Sequence, residues 1–163
     1  MNTEALFSSE NGGWGTPPEI LDLVRAVAMT GEIGMDPATS PDNPCRAVQF
    51  YTPETDGLFQ TWGYWGLVYV NPPYGRGIGN WTSKMRVEGH SGTELIALLP
   101  ARTDTAWWQA DVATANAICF WRGRIKFVGA AAGAPFPSAL AYWGNRARVF
   151  ERVFADRGWL VRP

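Results

Sequence analysis

Apolar positions along the chain follow two kinds of pattern. Unbroken blocks stopped by proline, Leu67 to Val70 before Asn71-Pro72 and Leu95 to Leu99 before Pro100, read as buried strands whose ladder ends where proline offers no amide hydrogen. Wider spacings, Ile20-Leu21-Val24-Val27-Ala28 and Val149-Phe150-Val153-Phe154, place apolar side chains on one face of a helix. The first helix opens on Thr16 as N-cap, Pro17 at the first helical position and Glu19 closing a capping box, and ends near Gly31. The second ends at Gly158. Between them the pattern predicts a short strand within 31–38 that ends at Asp36, then mostly loop from Thr39 to Trp65 with a strand at Val48 to Tyr51. A helix from Trp81 to Val87 and another capped by Asp104 and running to about Ala115 follow. Ala117 to Trp121 and Arg124 to Val128 flank Arg122-Gly123 as a hairpin, 129–134 is a loop, and Phe136 to Trp143 is the last strand. Strands alternating with helices give a layered α/β fold. Residues 1–13 read as a flexible arm carrying Phe7, leaving 14–163 as a single domain without a separate recognition domain.

In an open α/β sheet, ligands bind at the carboxyl ends of the strands, where this reading puts Asp36, Asn71 and Arg102. Asn71-Pro72-Pro73-Tyr74 has a narrow chemistry. An amine conjugated to a ring or carbonyl is a poor nucleophile until acceptors hold its hydrogens and favour a pyramidal nitrogen. The Asn71 side-chain oxygen and the Pro72 carbonyl supply two such acceptors, Pro73 stiffens the backbone that aims them, and Tyr74 offers a flat face to the amine's planar carrier. Stacking of this kind is worth roughly 1 to 3 kcal/mol per base. The bland alternative is a strand end followed by a Pro-Pro turn. Asp36 reads either as an acceptor for a cofactor's ammonium or ribose hydroxyl or as a solvated loop acid, and no Gly-rich phosphate loop follows it. Glu54 and Asp56 are candidates for a ribose-binding acid, with simple exposure as the alternative. The first helix's amino terminus either accepts an anionic group or is an ordinary capped start stapled by Trp14.

Composition changes this picture in three places. Nine Trp, eight Phe and five Tyr exceed what a core of this size absorbs, so some face a ligand. Cys45, Cys119 and His90 form no metal-type spacing, so no metal is expected. Net charge is −1, but residues 1–60 carry nine acids against Arg25 and Arg46, whereas eight bases against Glu151 and Asp156 follow Cys119. That asymmetry lets one end face phosphates, although a basic surface helix accounts for part of it. With no signal-like start and no membrane-length apolar run, a cytoplasmic setting is expected.

Trp14 to Glu19, Asp36-Pro37-Ala38, Asn71 to Gly75, Leu98 to Trp108, Gly123 to Phe127 and Pro135 to Leu140, in that order, resemble the phage-type DNA N6-adenine methyltransferases, the small Dam-like family of bacteriophages and prophages. The resemblance covers roughly residues 14 to 143. It implies a Rossmann-like S-adenosylmethionine-dependent methyltransferase sheet with an antiparallel last strand, and S-adenosylmethionine as cofactor. It places Trp14, Thr16, Pro17 and Asp36 by the cofactor, where Pro37 and the ribose candidate Asp56 are expected to join them, and Asn71, Pro72, Pro73 and Tyr74 at a flipped target adenine. DNA is then the partner, contacted by Arg76, Lys84, Arg102, Arg122, Arg124 and Lys126, and the phage setting implies protection from restriction. Two departures stand out. The tetrapeptide opens with Asn where many Dam enzymes have Asp, and the lack of a recognition domain leaves either low sequence specificity or a homodimer whose second subunit completes the grip. Two rivals share the residues: a protein glutamine N5-methyltransferase with a similar tetrapeptide, and a catalytically silent DNA-binding module.

Overall fold

In the computed structural model, residues 14–63 and 65–163 are described, so the expected arm 1–13 lies outside the described residues. The elements are α1 (Pro18–Val27), β1 (Met35–Asp36), β2 (Gln49–Phe50), β3 (Val68–Val70), α2 (Ile78–His90), β4 (Leu95–Pro100), α3 (Ala106–Ala110), β5 (Ala117–Trp121), β6 (Ser138–Trp143), α4 (Ala147–Phe154) and β7 (Gly158–Val161), with 3-10 turns at Gly57–Phe59 and Val112–Thr114. The strands form one sheet in the order β2-β1-β3-β4-β6-β5-β7. β1 is parallel to β2 and β3, and β3 to β4, while β6 is antiparallel to both β4 and β5, and β7 to β5.

Strict period-two alternation sends successive side chains to opposite faces, and each face has its own core. Tyr69, Ile96, Leu98, Leu140 and Tyr142 meet Ile20, Leu21, Val24 and Val27 of α1 and Phe150 and Phe154 of α4. Val68, Val70, Ala97, Leu99 and Ala139 meet Ile78 and Met85 of α2 and Trp108 of α3. β4 is buried along its whole length, which is why it reads as a continuous apolar run. Arg146 locks the far end of the α1/α4 layer. Its guanidinium donates to both Glu94 oxygens at 2.9 Å and to the Val27 carbonyl at 2.7 Å.

The expected alternation of strands and helices is present, with four corrections. Thr16 does not cap α1: Pro17 is the N-cap residue, without a side-chain bond, and the Thr16 hydroxyl is turned to the sheet. Thr105, not Asp104, caps α3, which stops at Ala110 before the second 3-10 turn. The hairpin from Ala117 to Val128 is absent because β6 and β7 occupy both edges of β5. Residues 124–128 instead lie over the end of the α1-side core, with Ile125 and Phe127 buried and Val128 bridged to Gly15. Finally, Gly158 opens a further strand, β7, rather than merely ending a helix. A Cβ there would collide with the Phe120 carbonyl, so glycine permits the close strand approach.

Candidate functional site

The chain moves from β1 outward to β2 and then crosses back to β3 on the other side of β1, so the connections diverge at the carboxyl ends of β1 and β3. That reversal opens a crevice in a parallel sheet. Here it is a cavity of about 550 Å³, with Asp36 at the end of β1 and Asn71 at the end of β3. Trp14, Thr16, Tyr69 and Trp81 contribute walls, Pro37 to Pro41 run along one side, and Thr52 to Asp56 along another. Its size and its mixture of aromatic and polar groups suit a small molecule.

Asn71 is fixed by a segment distant in sequence. Its Nδ2 donates to the Trp14 carbonyl at 2.5 Å and to Thr16 Oγ1 at 3.0 Å. A carbonyl can only accept, so this partner dictates which way the amide faces. The opposite atom, Oδ1, is buried and has no hydrogen-bond partner. The 14–16 segment is itself pinned: the Trp14 ring packs on Phe127 and Phe136 with centroids 5.2 and 5.7 Å away, and the Gly15 carbonyl accepts from Val128 N. Thr16 Oγ1 and the Tyr69 hydroxyl lie 2.7 Å apart, either able to donate. Burial raises the Tyr69 phenol well above its ordinary pKa.

Asp36 is buried, and burial lifts its carboxyl from the ordinary 3.8 to about 6. Ala38 N donates to Oδ1 at 3.0 Å and Cys45 Sγ to Oδ2 at 3.1 Å, which limits the rise. The Cys45 thiol is in turn pushed up by burial and by the neighbouring carboxylate. Asp56 adopts φ 44° and caps the first 3-10 turn by accepting from Leu58 N. The adjacent Gly57 packs so closely on the Pro37 backbone that a Cβ would overlap the Pro37 carbonyl, which holds the Asp56 loop against the Asp36 loop. Glu54 accepts from Thr52 Oγ1 at 2.6 Å, a bond that lowers its pKa.

Of the residues singled out in the sequence, Trp14, Thr16, Asp36, Pro37, Asp56, Asn71 and Pro73 line this cavity, as does Glu54. Pro17 and Pro72 are buried and outside its lining. Tyr74 stands beside rather than in it. Its hydroxyl donates to the Leu98 carbonyl at 2.9 Å, burial raises its pKa, and its ring meets Phe136 and Phe127 edge-on at 5.6 and 6.3 Å. Arg76, Arg122, Arg124 and Lys126 are exposed, and Arg102 is half-buried. Lys84 is engaged elsewhere, with Nζ 3.0 Å from Glu88 Oε1 and 5.0 Å from the Trp62 ring centroid. Tyr69, Cys45 and Trp81 were missed. Period two carries the signal for Tyr69, two residues before Asn71 and hence on the same face. No local signal marks Cys45.

Among the described residues, no group of three His, Cys, Asp or Glu side chains can hold a metal ion, and no helix is long and apolar enough to cross a membrane. The topology defines an α/β protein with a crevice at the carboxyl edge of its sheet. Comparison with known families narrows this: residues 4–141 match the family described as DNA N-6-adenine-methyltransferase (Dam), and the chain belongs to that family. A DNA N-6-adenine-methyltransferase of Escherichia phage T1 is 32% identical over 96 residues, which cover 58% of this chain and 38% of the phage protein.

Proposed function

We propose that this protein transfers a methyl group from S-adenosylmethionine to N6 of adenine in DNA. The observation that carries the reading is the unsatisfied, buried Oδ1 of Asn71 at the cavity. An orphaned acceptor of that kind is costly unless a ligand donor completes it. An exocyclic NH2 is such a donor, and family membership makes the adenine amine its natural source.

The residues present fit the cofactor. Asp36 offers a buried carboxylate to a cationic or hydroxyl-bearing ligand, Asp56 and Glu54 offer acceptors for a ribose, and Trp14, Trp81 and Tyr69 offer aromatic surface. The sheet is read as the Rossmann-like methyltransferase variety, with β6 as its characteristic antiparallel strand. When bound, S-adenosylmethionine supplies an electrophilic methyl on a sulfonium. The chain's task is to prepare the nucleophile. Asn71 Oδ1 and the Pro72 carbonyl accept the two amine hydrogens, favouring a pyramidal nitrogen with its lone pair free. The rigid Trp14–Thr16 anchor keeps Oδ1 from turning away. Tyr74, braced through Leu98, stacks on the extruded base and offsets part of the few kcal/mol that extrusion costs. The excess proton leaves to water, so no strong base is required.

The test is methyl transfer from labelled S-adenosylmethionine to adenine-containing DNA and, in parallel, to protein acceptors. Label in DNA that Asn71→Ala or Tyr74→Ala abolishes, with cofactor binding retained, supports the reading. Label in protein glutamine, full rate in either variant, or no cofactor binding by the wild type overturns it.

A further inference from the structure

Away from the crevice, the sheet carries a ladder of aromatic rings that ends in solvent. Trp107 and Trp108 have centroids 5.9 Å apart, Trp108 and Phe120 5.9 Å at 31°, and Phe120 and Trp159 5.4 Å at 28°. Trp108 is buried, Phe120 is half-buried, and Trp159 on the edge strand β7 is 70% exposed. One face of the Trp159 indole therefore rests on Phe120 while the rest is open to water. A large ring held flat by a second ring, with little covering it, is the form of a stacking platform rather than of a core residue.

Its surroundings carry the charge that names an occupant. Trp121 pairs with Gly158, and beyond that pair Arg122, in the bend after β5, and Arg157, in the turn before β7, are joined by a bond from Arg122 N to the Arg157 carbonyl at 2.9 Å. Arg124 follows two residues later, all three are exposed, and none has a carboxylate within ion-pair distance among the described residues. Asp156, exposed on the same turn, is outnumbered. Aromatic faces interleaved with cations match single-stranded nucleic acid, whose bases stack and whose phosphates take the charge.

Register sets the distance to the crevice. Phe120 is level with Ala139 and Leu99, and Val70 with Ala97, so Trp159 stands about one residue step above Asn71 along the strands. Four strand spacings of about 4.8 Å separate them sideways, about 20 Å, with Trp159 on the α2/α3 face through Phe120 and Asn71 on the face of Tyr69, so a path between them crosses the carboxyl edge of the sheet.

We propose that the Trp159–Phe120 stack and the Arg122–Arg157 turn form a docking platform for unpaired DNA flanking the base held at Asn71. The proposal rests on the adenine-methyltransferase reading of the crevice for its direction but is measured separately from it. The probe is a short fluorescein-labelled oligothymidine, which contains no adenine to methylate, titrated with the full chain and read by anisotropy. Trp159→Ala is expected to weaken binding about tenfold, Trp159→Phe to keep most of it, and Arg157→Gln to weaken it and flatten its salt dependence. Arg157 is exposed and has no ion-pair partner among the described residues, so its substitution reports on binding even if Trp159→Ala proves unstable by thermal melting. Unchanged oligothymidine affinity in Trp159→Ala and Arg157→Gln overturns the platform while leaving wild-type methyl transfer untouched. Equal losses on duplex DNA, or a wild-type dimer in sedimentation that Trp159→Ala dissociates, also overturn it. Absence of methyl transfer with oligothymidine binding still dependent on Trp159 counts against the crevice reading alone.

Discussion

Replacing Asn71 with aspartate exchanges one atom, and the amide's partners predict that the exchange destabilises this chain. The amide nitrogen faces the Trp14 carbonyl at 2.5 Å and Thr16 Oγ1 at 3.0 Å. The Thr16 hydroxyl can rotate to donate, but the carbonyl cannot, so a carboxylate oxygen would face another acceptor. Leaving that carbonyl unsatisfied costs about 1 to 3 kcal/mol. At roughly 2 to 4 °C per kcal/mol for a chain of this size, Asn71→Asp should lower Tm by about 5 °C near neutral pH. The introduced carboxyl regains a donor when protonated, and only in the folded state, so its folded pKa lies above its unfolded one. The deficit should therefore be smallest at acid pH and grow as pH rises through that raised value. Differential scanning calorimetry of both proteins at several pH values checks this, and contributions common to both, such as Asp36, cancel in the difference. Equal Tm throughout, or a deficit that widens on acidification, would refute the anchoring role of the amide.

Asp36→Asn should flatten the pH dependence of stability. The wild-type carboxyl rises from 3.8 to about 6 on burial, so its favourable contribution is complete below the unfolded value and is lost as pH climbs through about 6. The difference is worth about 3 kcal/mol between wild type and variant in denaturant titrations at acid and neutral pH. Thr16→Val removes one of the two acceptors of Asn71 Nδ2 and strands the buried Tyr69 hydroxyl, and chemical denaturation should show a loss of about 2 kcal/mol. Gly57→Ala drives a methyl into the Pro37 carbonyl and parts the Asp36 and Asp56 loops, so calorimetric titration with S-adenosylmethionine should show affinity reduced at least about tenfold.

How far the sequence foretold this arrangement depends on whether a feature is local. β4 was legible to within one residue because it is buried on both faces, although Pro100, expected to stop the ladder, is its last paired residue. Asp36 and Asn71 were legible as strand ends, and the crevice between them follows from chain order. Thr16 misled because Ser or Thr before Pro-Pro-Glu carries every mark of a cap, while its actual partners, Tyr69 and Asn71, are more than fifty residues away. The 117–128 hairpin misled for the same reason. Its turn residues are correct, with Gly123 at φ 77°, but the edges of β5 are taken by strands that arrive later in the chain. Gly158 looked like a stop signal, whereas its lack of a side chain allows β7 to approach Phe120.

The central claim is that Asn71 and its neighbours activate an adenine amine for methylation. Its most direct measurement is the identity of the modified nucleoside: DNA from a host lacking adenine methylation is incubated with the protein and S-adenosylmethionine, digested, and analysed by mass spectrometry. N6-methyladenine is expected with the wild type and not with Asn71→Ala. Methylated cytosine in its place, or N6-methyladenine formed equally by Asn71→Ala, would contradict it.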